Sequence, residues 1–162
     1  MPDSNEKREV ALNDIFGLSE SQIDAIAAIG SNMYEQGKMR DAQTIFEGLI
    51  ALDPRNYYGF AGLGAMALAE EKLDEALDNL QKAAALNPKD PTVRANLGET
   101  LLRKAQFNEA AKEFEKALEL DPDERDPGAN RARAIIEGMQ VVISEVERLT
   151  KTAEAGAGAA GA

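Results

Sequence analysis

Carboxylates are the one chemistry-bearing group that this sequence holds in abundance: 29 Asp and Glu stand against 18 Lys and Arg, with no His and no Cys. Paired carboxylates can do general acid–base work when their surroundings push their pKa values apart. Two pairs have suitable spacing, Glu70-Glu71 and Glu109 with Glu113. No partner group converges with either. Nucleophilic catalysis of the Ser-His or Cys-His kind is unavailable without histidine, and no phosphate-cradling glycine loop is present. Acidic residues one helical turn apart ordinarily serve solvation and i,i+4 pairing. The sequence therefore reads as non-enzymatic. Zinc sites built on Cys or His are excluded, as is a disulfide framework. No metal and no cofactor are expected.

The net charge of −11 opposes nucleic-acid binding, which needs a basic face to neutralise phosphates. It equally opposes docking on an anionic membrane, and favours a protein partner with basic patches. No apolar run approaches the length of about 18 residues that a membrane helix needs. Residues 1–8 are polar and lead into no apolar signal core, so a cytoplasmic protein is the expectation.

The elements that position these side chains follow a period of 34 residues. Ala42, Ala76 and Ala110 keep that interval, as do Gly30, Gly64 and Gly98, and Pro54, Pro88 and Pro122. Phe46, Leu80 and Phe114 repeat it, and so do Ile29, Leu63 and Leu97. Each unit reads as two amphipathic helices. In the first, Ile23, Ile26, Ile29, Gly30 and Met33 form the inner stripe of helix A, and Ala42, Ile45, Phe46 and Leu49 that of helix B, with Gly37-Lys38 turning between them. A helical Gly costs about 1 kcal/mol against Ala. Its recurrence at one phase in three copies points to a packing reason: a small residue lets helix B of the same unit lie close. Position 4 of the unit is Ile26, Phe60 and then Arg94, which leaves the third local core unlike the others.

With this period and these positions the chain resembles a tetratricopeptide-repeat protein. The resemblance implies an all-α solenoid of three helix-turn-helix repeats, at 23–56, 57–90 and 91–124. An N-terminal arm, 1–22, carries a short helix over 6–16 that packs on the first repeat or reaches a second subunit. A C-terminal capping helix covers 125–152, with Ile135, Ile136, Met139, Val142, Ile143 and Val146 on its apolar face. The Ala/Gly run at 153–162 reads as a flexible tail. The arm and the last helix both allow a homodimer, and neither demands one.

In tetratricopeptide-repeat proteins the concave wall is lined by positions 2, 5, 9, 12 and 13 of helix A. On this sequence those are Asp24, Ala27, Ser31, Tyr34 and Glu35, then Tyr58, Ala61, Ala65, Leu68 and Ala69, then Thr92, Ala95, Glu99, Leu102 and Arg103. The Lys/Asn/Arg clamp that some relatives use on a chaperone's C-terminal carboxylate is missing, since position 5 is Ala27, Ala61 and Ala95 and position 9 is Ser31, Ala65 and Glu99. Small residues with Tyr34, Tyr58, Leu68 and Leu102 beside them suit an extended peptide carrying a few apolar anchors. The alanines also simply favour helix.

A sharper resemblance lies in Tyr34-Glu35-Gln36-Gly37-Lys38, Asp41-Ala42-Gln43, Ile45-Phe46 and Leu49, then Leu52-Asp53-Pro54, Phe60 and Gly62-Leu63-Gly64-Ala65. These runs are similar to the class II type III secretion chaperones. That likeness implies a small acidic chaperone that holds an extended segment of a hydrophobic translocator protein in its groove. It covers 23–90, and beyond that it is architectural only. The alternative is a general repeat adaptor in a multiprotein assembly, using the same groove or the outer face.

Overall fold

The computed structural model describes residues 16–159, with side chains through Thr152. The short helix expected over 6–16 of the arm lies outside the described residues except for Phe16. Seven helices follow: α1 Glu20–Glu35, α2 Met39–Leu52, α3 Tyr57–Ala69, α4 Leu73–Leu86, α5 Pro91–Arg103, α6 Phe107–Leu120 and α7 Pro127–Ala159. The first six form three antiparallel hairpins, stacked in chain order, with α7 laid over α5 and α6.

The A helices begin at side-chain caps. Ser19 and Gln22 form a reciprocal capping box at α1. Asn56 accepts from the Gly59 amide at 3.1 Å, and Asp90 from the Val93 amide at 2.9 Å. They end in turns of one geometry. Gly37, Glu71 and Ala105, again 34 apart, take φ of +74°, +59° and +58°. In each turn the following amide reaches back five residues, Lys38 to Met33, Lys72 to Ala67 and Gln106 to Leu101, which closes the helix end. Only the first turn uses glycine; the left-handed backbone costs the other two about 1 kcal/mol each. The B helices start directly from these turns and have no side-chain cap.

The periodic glycines are contact points between the two helices of each hairpin. A Cβ at Gly30 would stand 2.9 Å from the Phe46 ring, at Gly64 2.7 Å from Leu80, and at Gly98 2.6 Å from the Phe114 ring. Phe46 is met from a second side by Gly62, where a Cβ would stand 2.5 Å from three ring atoms. Each large residue of helix B thus lies on the bare backbone of helix A. The main buried cluster runs from Ala67 through Leu80, Leu97 and Phe114 to Ala132 on α7. A smaller one gathers Ala27, Ala42, Phe46, Leu49 and Met66 in the first repeat.

Two stripe positions differ from their periodic reading. Ile29 is 49 % exposed while Leu97 is 5 % exposed. This position packs on the preceding helix B, as Leu63 does in the cluster that contains α2, and among the described residues α1 has no predecessor. Arg94, in the place of Ile26 and Phe60, makes a 2.9 Å ion pair with Glu113, both side chains at most 14 % exposed. Its Nε also donates to the Pro88 carbonyl at 3.3 Å. In the second repeat the same site holds Phe60 with the Lys82 ammonium 5.5 Å from its ring centre. The third repeat replaces that packing with an ion pair.

At α7, Asp126 accepts from the Ala129 amide at 2.8 Å and from the Thr92 hydroxyl at 2.9 Å, and so ties the start of α7 to the start of α5. Ala129 and Ala132 are fully buried beneath it. The helix continues to Ala159 rather than ending at Thr152, in keeping with alanine as the strongest helix former. At 33 residues it is about 50 Å long, more than twice the length of α5, so most of it extends past the hairpins.

Candidate functional site

The concave wall is formed by α1, α3 and α5. Two recesses lie on it. The first, about 270 Å³, has Ala27 and Ser31 of α1 and Ala61, Gly62 and Ala65 of α3 along its base, with the Phe46 ring showing through from behind. Tyr34 and Glu35 border it on one side, Tyr57 and Tyr58 on another, and Asp90, Thr92, Val93 and Asn96 of α5 on the third. The second, about 430 Å³, runs on between Leu68, Ala69, Glu99, Arg103 and Arg131. Both contain Tyr34, Glu35, Ala65, Thr92 and Asn96, so they form one continuous trough. A wider mouth of about 540 Å³ adjoins the tyrosine pair and is rimmed by Glu20, Asp24 and Asp53.

Small side chains make the first recess. Ala61, Gly62 and Ala65 leave the face of α3 with nothing beyond a Cβ, while Tyr57 and Tyr58 rise from its first turn with ring centres 4.1 Å apart. The Tyr58 hydroxyl is pushed well above the ordinary phenol range by the Tyr57 hydroxyl beside it, by burial and by the Asp24 carboxylate. It therefore stays a neutral donor across the biological pH range.

The far end of the trough has different chemistry. Arg103 pairs with Glu99 at 2.6 Å and donates to the Leu68 carbonyl at 3.3 Å, where it caps the C-terminal end of α3. Arg131 of α7 reaches over to Glu99 at 3.1 Å and also donates to Asn96. Glu99 is thereby shared by two guanidinium groups, and the network fastens α3, α5 and α7 together.

Of the residues singled out from the sequence, Ala27, Ser31, Tyr34, Tyr58, Ala61 and Ala65 come together around the first recess, and Leu68, Glu99 and Arg103 around the second. Ala95 and Leu102 line neither. Ala95 is 2 % exposed, in the same buried cluster as Ala132 of α7. Leu102 lines a separate cleft with Phe107, Phe114, Met139 and Ile143, between α6 and α7. Copying wall positions forward by one period fails here because α7 covers that side of α5. Periodic reasoning also passed over Tyr57, Gly62, Val93, Asn96 and Arg131. Asn96 carried a signal: it is a polar residue at the place held by Gly62 one period earlier, and it is buried.

One carboxylate of each pair is held in ion pairs. Glu70 binds Lys72 at 2.6 Å, and Glu113 accepts from Arg94 and from Lys116. Among the described residues no three carboxylates gather as a metal site, and no helix is long and apolar enough to cross a membrane.

Two tetratricopeptide-repeat family profiles match the chain, over residues 28–91 and 67–136. Among solved structures, PcrH from Pseudomonas aeruginosa is 30 % identical over 76 % of this chain and 96 % of its own, with a TM-score of 0.62. PcrH in complex with the chaperone binding region of PopB is 31 % identical over 73 % and 97 %, with a TM-score of 0.59. The Yersinia enterocolitica type III secretion translocator chaperone SycD is 26 % identical over 80 % and 98 %, with a TM-score of 0.63. No curated protein gives a match.

Proposed function

We propose, since this chain belongs to the tetratricopeptide-repeat family, that it is a non-enzymatic chaperone which holds an extended, apolar-anchored segment of a type III secretion translocator in its concave trough. The observation that carries this reading is the first recess. Its base of Ala27, Ala61, Gly62 and Ala65 admits a backbone or a short apolar side chain, and Tyr34, Tyr57 and Tyr58 offer aromatic walls with hydroxyl groups for the peptide's own amides and carbonyls. The likeness to SycD, a type III secretion translocator chaperone, and to PcrH, which binds the chaperone binding region of PopB, supports the same reading. The acidic mouth at Glu20, Asp24 and Asp53 favours a segment with basic residues on that flank. A soluble chaperone acts on its client before secretion, so its place is the cytoplasm.

The test is fluorescence anisotropy with short peptides that carry two or three apolar anchors, alongside a scrambled control. Tyr58→Ala removes an aromatic wall from a half-buried position and should weaken binding about 30-fold or more, the scale of an interface hot spot, while the melting temperature stays close to wild type. Equal affinity for wild type and variant would overturn the placement. Leu68→Glu is unsuitable for this purpose: Leu68 is 5 % exposed, and a charge there would test folding instead.

A further inference from the structure

One polar side chain in the trough has a hydrogen-bonding group to spare. Asn96 stands where the two recesses meet and lines both, yet it is only 6 % exposed. The Arg131 guanidinium fixes its orientation. A guanidinium has donors and no acceptor, so the Asn96 atom that meets it is the carbonyl oxygen Oδ1. The amide nitrogen Nδ2 is the other arm of the same planar group, and among the described residues it has no acceptor. Buried polar groups ordinarily have partners, because a buried amide without its hydrogen bond is costly. A ligand that brings an acceptor to this point removes that cost.

We propose that Asn96 donates through Nδ2 to one main-chain carbonyl of the bound segment and so sets the register at which the segment lies, an assignment that rests on the trough holding an extended segment at all. The surroundings select a main-chain carbonyl. Ala61, Gly62 and Ala65 in the same recess leave nothing beyond a Cβ, so a backbone can come close. An extended segment makes no internal hydrogen bonds, which leaves its carbonyls available. Glu35 and Asp90 border the recess and oppose an ionised carboxylate, so the acceptor is a neutral one.

The donor is also single in its row. The places one and two periods earlier hold Gly62 and Ala28, neither of which can donate from a side chain. One donor at one point picks one carbonyl. The apolar anchors on either side of that carbonyl then fall at fixed distances along the trough.

Fluorescence anisotropy tests this, with the apolar-anchored peptides and with versions in which one amide at a time is replaced by an ester. An ester carbonyl is a weaker acceptor than an amide carbonyl. On wild type, one ester position should weaken binding about fivefold more than its neighbours do. Asn96→Asp keeps an oxygen for Arg131 and removes the donor. It should bind the all-amide peptide about tenfold more weakly, melt near the wild-type temperature, and show no added penalty at that ester position. Asn96→Ser, too short to reach the segment, should behave alike. Arg131→Ala lets the amide turn between two orientations, so affinity should fall about twofold with the ester penalty kept. If both Asn96 variants bind as wild type does, or keep the ester penalty, the proposal is overturned, while a loss of binding in Tyr58→Ala leaves the trough reading standing. If no peptide binds wild type, both fall together.

Discussion

At the end of the trough nearest α1, alanines and glycine leave bare backbone facing the tyrosine pair, and among the described residues no ion pair crosses the opening. At the end nearest α7, the same wall is spanned by Arg131, Glu99, Asn96 and Arg103, every one of them bonded to another helix or to its neighbours. Both ends descend from one 34-residue pattern. What separates them is the next element in the stack. The recess between α1 and α3 is open because only hairpins flank it. The far end is drawn together because α7 arrives in place of a further hairpin and brings a guanidinium with it. The apolar end is free to accept a ligand, whereas the polar side chains at the other end already have partners.

Glycine contacts break that comparison most sharply. In Gly62→Ala the new methyl would meet the Phe46 ring at 2.5 Å, inside the base of the recess. Overpacking of this kind should lower stability by about 3 kcal/mol and also displace the surface that receives a peptide. Gly98→Ala meets Phe114 at 2.6 Å, away from the recess, and should destabilise by a similar amount, about 2–3 kcal/mol, while the folded fraction binds peptide normally. Thermal melting and anisotropy on both variants separate the two effects. If Gly98→Ala weakens binding as much as Gly62→Ala does, the ends are not independent.

A smaller effect is expected at the fastened end. Arg131→Ala removes a side chain that is nearly half exposed, so the stability change should stay below about 1 kcal/mol, and peptide affinity should change by less than about threefold. A large loss of affinity would show that the polar end takes part in binding.

The smallest effect is a pH dependence at the α6–α7 side. Burial of Asp121 favours its neutral form, but the Arg125 amide and the Arg133 guanidinium outweigh this and hold its carboxyl below the ordinary range. Its folded value thus lies below the unfolded value of about 3.9. The stabilisation is complete above that pH and is lost as pH falls through the folded value. Melting temperatures recorded from pH 6 to pH 3 should fall less steeply for Asp121→Asn than for wild type. Tyr58, raised rather than lowered, stays neutral over that whole range.

Much of the fold was legible in the sequence because each repeat sees nearly the same surroundings. Ala42, Ala76 and Ala110 are all buried, and the glycine triplet meets Phe46, Leu80 and Phe114 as its recurrence implied. Periodic reading failed wherever a unit lacks a neighbour or has a different one. Ile29 is exposed because no helix precedes α1 among the described residues, and Ala95 and Leu102 left the wall because α7 covers it. The residues Tyr34, Tyr58, Ala61 and Ala65 of the candidate site were reachable through the wall positions that the repeat resemblance implies. Tyr57 and Arg131 were not, since the first depends on ring packing and the second lies on a helix outside the period.

Three of the bonds that tie one unit to the next share a common reach. Thr92 to Asp126, Leu68 to Arg103 and Asn96 to Arg131 each bridge 34 or 35 residues. A chain with such partners closes only short loops as it folds, and its contacts stay local, the property that goes with rapid folding. During synthesis each hairpin can dock on the one before it as soon as it leaves the ribosome. The acidic body then assembles in chain order, and α7 is added last.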